Sequence, residues 1–311
     1  MKFNGSSAAG GESERRTIME LVFHADDYGI TEWQARGILE LCSSCGGQGV
    51  LSSVSIFANS PAFDAAAAAA EPFVSAGALS MALHVNLVEG TPCSDVSEIP
   101  LLVGERGTFC NDFVGLLKLS MGSTKTELRR QVQVEVQAQL KRFLSAFPQL
   151  KGALRIDSHQ HTHAVPAVLD GILAACAAEG CTLAHLRCPA EPLRVHRACK
   201  SKVEPVNRVK VLLIDALWRK NRAKVPTGCK TSLFCGVALS GHMDQVAWPL
   251  VDAFCAEAAR RHATGVEVLF HPVSVPVAEC LDPQNTAFAE ACAGPGRDAE
   301  AACVRALATR G

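Results

Sequence analysis

The sequence predicts one α/β domain of (β/α)-barrel type, an incomplete or distorted TIM-type barrel. Three observations lead there. From about residue 20, short apolar runs alternate with amphipathic stretches, the pattern of parallel strands joined by helical crossovers. The chain has 311 residues, 48% of them hydrophobic, enough to bury a large core without disulfide help. Aromatics make up only 5% and alanine-rich stretches recur, which favours helices over a small β-sandwich. A doubly wound open sheet is the alternative, and no internal repeat is visible.

The elements follow in order. MELVFHA (19–25) is a buried strand, and WQARGILELCSS (33–44) is the helix after it. GVLSSVSIFAN (49–59) is β-branched and apolar, hence a strand. PAFDAAAAAA (61–70) is a helix opened by Pro61. LSMALHVNLV (79–88) is the third strand, and 90–123 reads as loop. Residues 123–147 form a long helix, with Ser123 or Thr124 and Glu127 resembling a capping box. LRIDSHQHTH (154–163) is a strand running into a loop, and the helix of 165–180 ends at Gly180. TLAHLRCP (182–189), TSLFCGVAL (231–239) and VEVLFHPV (266–273) are the remaining strands, with the helix of 248–263 between the last two.

Residues 1–19 are polar and rich in Gly, Ser, Glu and Arg. They read as a flexible tail lacking a signal peptide's apolar core, so the domain spans 20–311 and a cytoplasmic location is expected. No run is long and apolar enough to span a membrane. Without export, the 14 cysteines read as reduced thiols, and the lone Cys42-x-x-Cys45 has no second pair to complete a zinc site. A net charge of −1 excludes a general nucleic-acid binder. Residues 190–230 look like a basic insertion: 194–230 hold 11 Lys and Arg against Glu204 and Asp215, read as a solvated segment with one amphipathic helix at 211–224.

The unusual polar residues sit at predicted strand ends. Asp26 and Asp27 close a buried strand, where two carboxylates need a cation. In an extended segment His84 and Asn86 share a face. Asp157, His159, His161 and His163 would also share one face if extended, a metal or proton-transfer pattern with a carboxylate to orient a histidine. His271, fixed by Pro272 at a strand end, is an acid/base candidate. Arg187 follows a strand and could pair with an Asp. In a barrel these strand ends converge on one rim.

The order HADDYG, LSSVSIFANSPAF, LHVNLVEGTP, DSHQHTH, LRCPAE, FHP resembles the YdjC (ChbG-like) carbohydrate deacetylases, eukaryotic members included, from about residue 20 to 275. The resemblance implies a barrel-like deacetylase with one divalent metal, Mg or Zn. It implies Asp26 as proton acceptor and Asp27, His84 and His159 as metal ligands. By analogy with related polysaccharide deacetylases, it also implies His271 as general acid. Tyr28, Asn86, Asp157, His161, His163 and Arg187 are substrate-contacting or supporting candidates. The implied reaction removes acetyl groups from N-acetylated amino sugars or oligosaccharides. The implied partner is that carbohydrate; oligomeric state stays open, a homodimer being one option, and charge and apolar patterning lead to an expectation of neither nucleic acid nor membrane. Three departures stand out: His24 where Asn is commoner, Tyr28 (the chain's only Tyr) where Phe is commoner, and Val273 where Gly usually follows His-Pro. With little chain after the last motif, the final helix or strand of the usual fold is expected to be missing. Competing readings are another metal-dependent hydrolase, such as a phosphoesterase or amidohydrolase, and a non-catalytic glycan-binding barrel.

Overall fold

The computed structural model describes residues 19–309; the tail proposed for the N-terminus lies almost wholly outside the described residues. Seven parallel strands form one sheet: β1 (Glu20–Tyr28), β2 (Ser53–Ile56), β3 (Ser80–Val85), β4 (Leu154–Ser158), β5 (Leu183–Leu186), β6 (Leu233–Cys235) and β7 (Gly265–Phe270). Their order is β5-β4-β3-β2-β1-β7-β6. The sheet curls until Lys230, just before β6, bridges to His185 of β5: the Lys230 N–H donates to Ala184 and the Leu186 N–H to Lys230. That short bridge in place of an eighth strand makes a distorted barrel, as the alternation of elements predicts.

The crossovers are α1 (Glu32–Leu39), α2 (Phe63–Ser75), α3 (Phe113–Met121), α4 (Lys125–Ala146), α5 (Pro166–Ala178), α6 (Leu193–Ala198), α7 (Pro205–Asn221) and α8 (Trp248–Arg260). Two more helices, α9 (Thr286–Ala293) and α10 (Gly296–Leu307), follow β7, so the expectation of a missing final element is corrected on the helical side. Apolar strand residues and the inner helix stripes make one large core, and a smaller cluster of Phe57, Val275 and Phe288 packs around α9. Among the described residues no helix is long and apolar enough to cross a membrane.

Several local readings need correction. The strand ends drawn at 49–59 and 231–239 shrink to four and three residues, because the flanking chain bends away from the sheet. α3 lies inside the segment read as loop; Asp112 caps it by accepting from the Gly115 N–H at 2.7 Å, a signal visible in the sequence. The capping box at α4 is absent. Thr124 donates instead to Leu119, and the Glu127 carboxylate pairs with Arg130 and Gln131 within its own helix. α2 begins two residues after Pro61. None of the 14 cysteines is in a disulfide.

α5 packs closely on α4 at Gly171. A Cβ there would lie 2.6 Å from Val132 Cγ1 and 2.9 Å from the Arg129 carbonyl oxygen. Alanine in place of a mid-helix glycine gains about 0.5–1 kcal/mol, but overpacking against a rigid backbone costs about 1–3 kcal/mol. Gly171→Ala is therefore expected to lower the thermal midpoint; an unchanged or raised midpoint would show that the two helices separate freely.

Candidate active site

The site sits at the carboxyl ends of the strands, where a parallel barrel gathers residues distant in sequence. Two adjacent residues in a strand normally point to opposite faces. Asp27 escapes this rule: its φ of +59° and a register shift between Ala25 and Tyr28 turn its carboxylate to the same side as Asp26. Aspartate tolerates that left-handed conformation better than most residues. Gln34 clamps the turn, donating to the Asp27 carbonyl at 2.9 Å and accepting from the Gly29 N–H at 3.1 Å. Tyr28 then points away from the site. It is fully buried and donates to the Ala66 carbonyl of α2, so it packs beneath the site and does not line a pocket.

His84 and Asp157 are register partners on β3 and β4, and His84 Nδ1 lies 2.5 Å from Asp157 Oδ1. That bond leaves His84 Nε2 facing Asp27 Oδ1 at 3.5 Å. Although burial pushes the His84 ring down, the carboxylates of Asp26 and Asp157 carry it up to about 10. His159 Nδ1 lies 3.2 Å from the same Asp27 oxygen. Asp27, His84 and His159 thus offer ligand atoms all within 4.8 Å of one another, and all three residues are buried. Asp27 Oδ1, His84 Nε2 and His159 Nε2 have no hydrogen-bond partner among the described residues. Buried polar atoms without partners are rare, and the facing pair of Asp27 Oδ1 and His84 Nε2, with His159 Nδ1 beside them, fits a cation.

A second layer lies behind. Arg187 donates through Nη1 and Nη2 to Asp26 Oδ2 and Oδ1, both at 2.7 Å, and its Nε donates to Glu267 at 2.6 Å. Its Nη2 is also 3.0 Å from Asp157. His24 stands among them, with Nδ1 2.8 Å from Ser53 Oγ and Nε2 3.1 Å from both Ser55 Oγ and Asp26. Burial pushes the Asp26 carboxyl up, but Arg187 and His84 outweigh it and hold it well below the ordinary range. Asp26 is therefore an anion at any working pH. His271, about 30% exposed at the mouth, has Nε2 4.0 Å from Asp26 Oδ2, so the two flank one space.

The shared face expected for Asp157, His159, His161 and His163 is not formed. β4 ends at Ser158, and Gln160 and His161 adopt φ of +51° and +56°, which scatters the rings. His159 joins the cluster. His163 turns back, 2.6 Å from Ser158 Oγ and 3.1 Å from the Arg187 carbonyl, and burial with Arg187 nearby lowers it to about 4. His161 lies beside Phe234 with a buried, unpartnered Nδ1. Asn86 is spent on scaffolding: its side chain bonds Asn59, Glu89, Val88 and its backbone pairs with Gln139.

Sequence reading missed five participants. His24, Ser55 and Glu267 face inward from strands. Glu89 lies 3.9 Å from His159 Nε2, accepts from Asn285, and is pushed up to about 8 by burial. Arg297 of α10 reaches across to donate to Asp27 Oδ2 at 2.5 Å. Val273 has φ +72°, which explains why glycine suits that position; a β-branched residue is strained there. A cleft of about 800 Å³ opens beside His159, between the 104–115 and 282–288 segments, with Phe109, Asn111, Asn285 and Phe288 on its walls.

Known proteins are similar to this chain in sequence or in fold. The chain is 30% identical over 155 residues to a carbohydrate deacetylase of Brevibacillus brevis, covering 50% of this chain and 54% of that one. It is 28% identical over 163 residues to a chitooligosaccharide deacetylase of Escherichia fergusonii, covering 52% and 58%. Against these bacterial relatives the chain spans a little over half of their length. With a carbohydrate deacetylase of Mus musculus it shares 27% identity over 271 residues, 82% and 78% of the two chains. A crystal structure from Enterococcus faecalis, named for cellobiose-phosphate cleavage, superposes with a TM-score of 0.59 at 19% identity, over 92% of this chain and 90% of that one, which speaks to the fold alone. The model of the family described as YdjC-like protein matches residues 20–305 and so takes in every group from Asp26 to Arg297. The chain belongs to the YdjC-like family.

Proposed function

We propose that this protein is a metal-dependent carbohydrate deacetylase, releasing acetate from N-acetylated amino sugars or oligosaccharides. The observation that carries this reading is the convergence of buried ligand atoms on Asp27, His84 and His159, with Asp27 Oδ1 and His84 Nε2 unpartnered, beside an ionised Asp26. The names of the family relatives supply the carbohydrate amide as substrate. Asp27, His84 and His159 would hold one divalent cation, Mg or Zn, since mixed imidazole and carboxylate donors suit both. A divalent ion bound there would polarise the acetamide carbonyl and lower the pKa of a neighbouring water.

The remaining work falls to the chain's own groups. Asp26, kept anionic by Arg187, accepts the proton of the attacking water. His271, on the other side of the same space and open to solvent, donates a proton to the departing sugar amine. Asp157 fixes the His84 tautomer, and Arg297 orients Asp27 through its second oxygen. The neighbouring cleft has aromatic walls and amide groups suited to sugar rings.

The test is acetate release from a panel of N-acetylated mono- and oligosaccharides, with Asp26→Asn alongside. Asparagine keeps the shape but cannot take a proton. The variant should bind metal as wild type does and lose about 10²–10⁴-fold in kcat. An Asp26→Asn enzyme of normal turnover would remove Asp26 from the reaction. Phosphate release from esters without acetate release would favour the phosphoesterase reading.

A further inference from the structure

The basic segment at 194–230 plays no part in the chemistry above, yet it contains the chain's most anomalous surface. α7 has a buried inner face, Asn207, Val211, Ile214, Leu217, Trp218 and Asn221. That face supports the rim of the site. Asn207 donates to the carbonyls of Ala238 and Ser240, Asn221 donates to Ala164, and the Trp218 and His163 rings lie 6.3 Å apart. An ordinary surface helix would be polar on its outer side. Here the outer side presents Val206, Val209, Leu212 and Leu213, exposed by 60%, 66%, 61% and 38%. At about 3.6 residues per turn these four form one stripe, with Arg208 and Arg219 along one edge and Lys210 along the other.

The surrounding charge is equally one-sided. Residues 194–230 hold 11 of the chain's 30 Lys and Arg but only two of its 31 acids, so the segment is +9 and the remainder, with 19 and 29, is −10. Arg197, Lys200, Lys202, Lys210, Lys220 and Arg222 are exposed, and none makes an ion pair among the described residues. Arg194, Arg219 and Lys224 are the segment's paired cations.

We propose that the outer face of α7 docks on an anionic membrane surface, the aliphatic stripe entering the headgroup layer and the flanking cations meeting acidic lipid headgroups. Aliphatic side chains between two basic edges are what interfacial helices carry. The charge discriminates against a second copy: a two-fold interface through this face would set one +9 segment against another. Shape discriminates against a folded protein partner, which would need an apolar groove with an acidic rim to receive a convex helix, whereas a bilayer surface accepts it without complementarity. Nucleic acid would answer the cations but leave the aliphatic stripe in water. This docking departs from the sequence expectation of no membrane partner, since surface attachment needs no spanning helix. It is independent of the catalytic reading.

The experiment is cosedimentation of the full chain with vesicles of phosphatidylcholine alone, or of phosphatidylcholine with phosphatidylserine, at low and physiological salt. Binding should be at least about tenfold stronger to the serine-lipid vesicles and should weaken severalfold as salt rises. Val209→Glu/Leu212→Glu, at exposed positions, should lose about tenfold or more in binding while keeping wild-type circular dichroism and acetate release. Lys210→Glu/Lys220→Glu should weaken binding with the stripe intact. Equal binding to both vesicles, no binding to either, or undiminished binding by both double variants overturns the proposal. So does light scattering that shows a wild-type dimer which Val209→Glu/Leu212→Glu dissolves, because the face then belongs to a second copy.

Discussion

Asp27→Asn is expected to abolish both divalent-metal binding and acetate release. Asp27 Oδ1 is the shared point of the cluster, 3.5 Å from His84 Nε2 and 3.2 Å from His159 Nδ1, so its charge is the anionic part of the proposed ligand set. Loss of a supporting residue behind a metal ligand commonly costs about 10–100-fold in affinity, and loss of a ligand's charge should exceed that. Elemental analysis of wild-type protein should find about one divalent ion per chain, and the variant should retain almost none. Thermal unfolding gives an activity-free readout. Metal at a hundred times its dissociation constant stabilises the folded state by about 2.7 kcal/mol. Wild type should show a metal-dependent rise in midpoint and Asp27→Asn should show none. A variant with the full metal-dependent shift would mean that the ion sits elsewhere. Asparagine also weakens the pairing with Arg297, so the metal-free midpoint should itself fall.

That last partner shows where sequence reading stops. The strand ends, the Asp pair and His84 were legible because an apolar run that closes on a carboxylate or imidazole has a buried end to explain. Asp157 was legible for the same reason, and its neighbour on β3 follows from parallel register. The elements themselves were legible from apolar spacing, and their ends were not, since β2 and β6 stop where the barrel bends. Arg297 was invisible: it lies 270 residues from Asp27, on an amphipathic helix where an arginine ordinarily faces solvent. Glu267 sits in VEVLF, where period-2 alternation would put it on one face of a strand without saying that the face is a barrel interior. The histidines of DSHQHTH misled for a definite reason. The extended spacing that groups them requires β geometry, and the strand ends at Ser158.

Arg187→Met is expected to be the most destabilising single change in the site. Its guanidinium is 1% exposed, and its three nitrogens serve Asp26, Asp157 and Glu267. Truncation leaves three buried carboxylates with only histidine rings beside them, among them His24, His84 and His185. Removing one partner of a buried ion pair costs about 3–5 kcal/mol, and in a chain of this size each kcal/mol moves the midpoint by about 2–4 °C. Lysine should rescue little, because one ammonium cannot replace a planar fork of separate donors. The pH dependence separates charge from packing. In wild type, Arg187 holds all three carboxyls below their ordinary values of 3.8 and 4.5 against the burial that raises them. Groups with depressed folded pKa contribute stability above those ordinary values and lose it as pH falls through the folded ones. In Arg187→Met the strongest lowering influence is gone and burial is opposed only by the neighbouring histidines, so the same carboxyls rise and the variant loses stability, relative to wild type, as pH rises through about 4 to 5. The gap in midpoint between the two proteins should therefore be largest near neutral pH and narrow toward pH 4. Arg187 also lies over the Phe234 ring, 5.3 Å from its centroid, a contact that does not titrate. A gap of equal size at both pH values would assign the arginine's contribution to that packing and take the carboxylates out of the account.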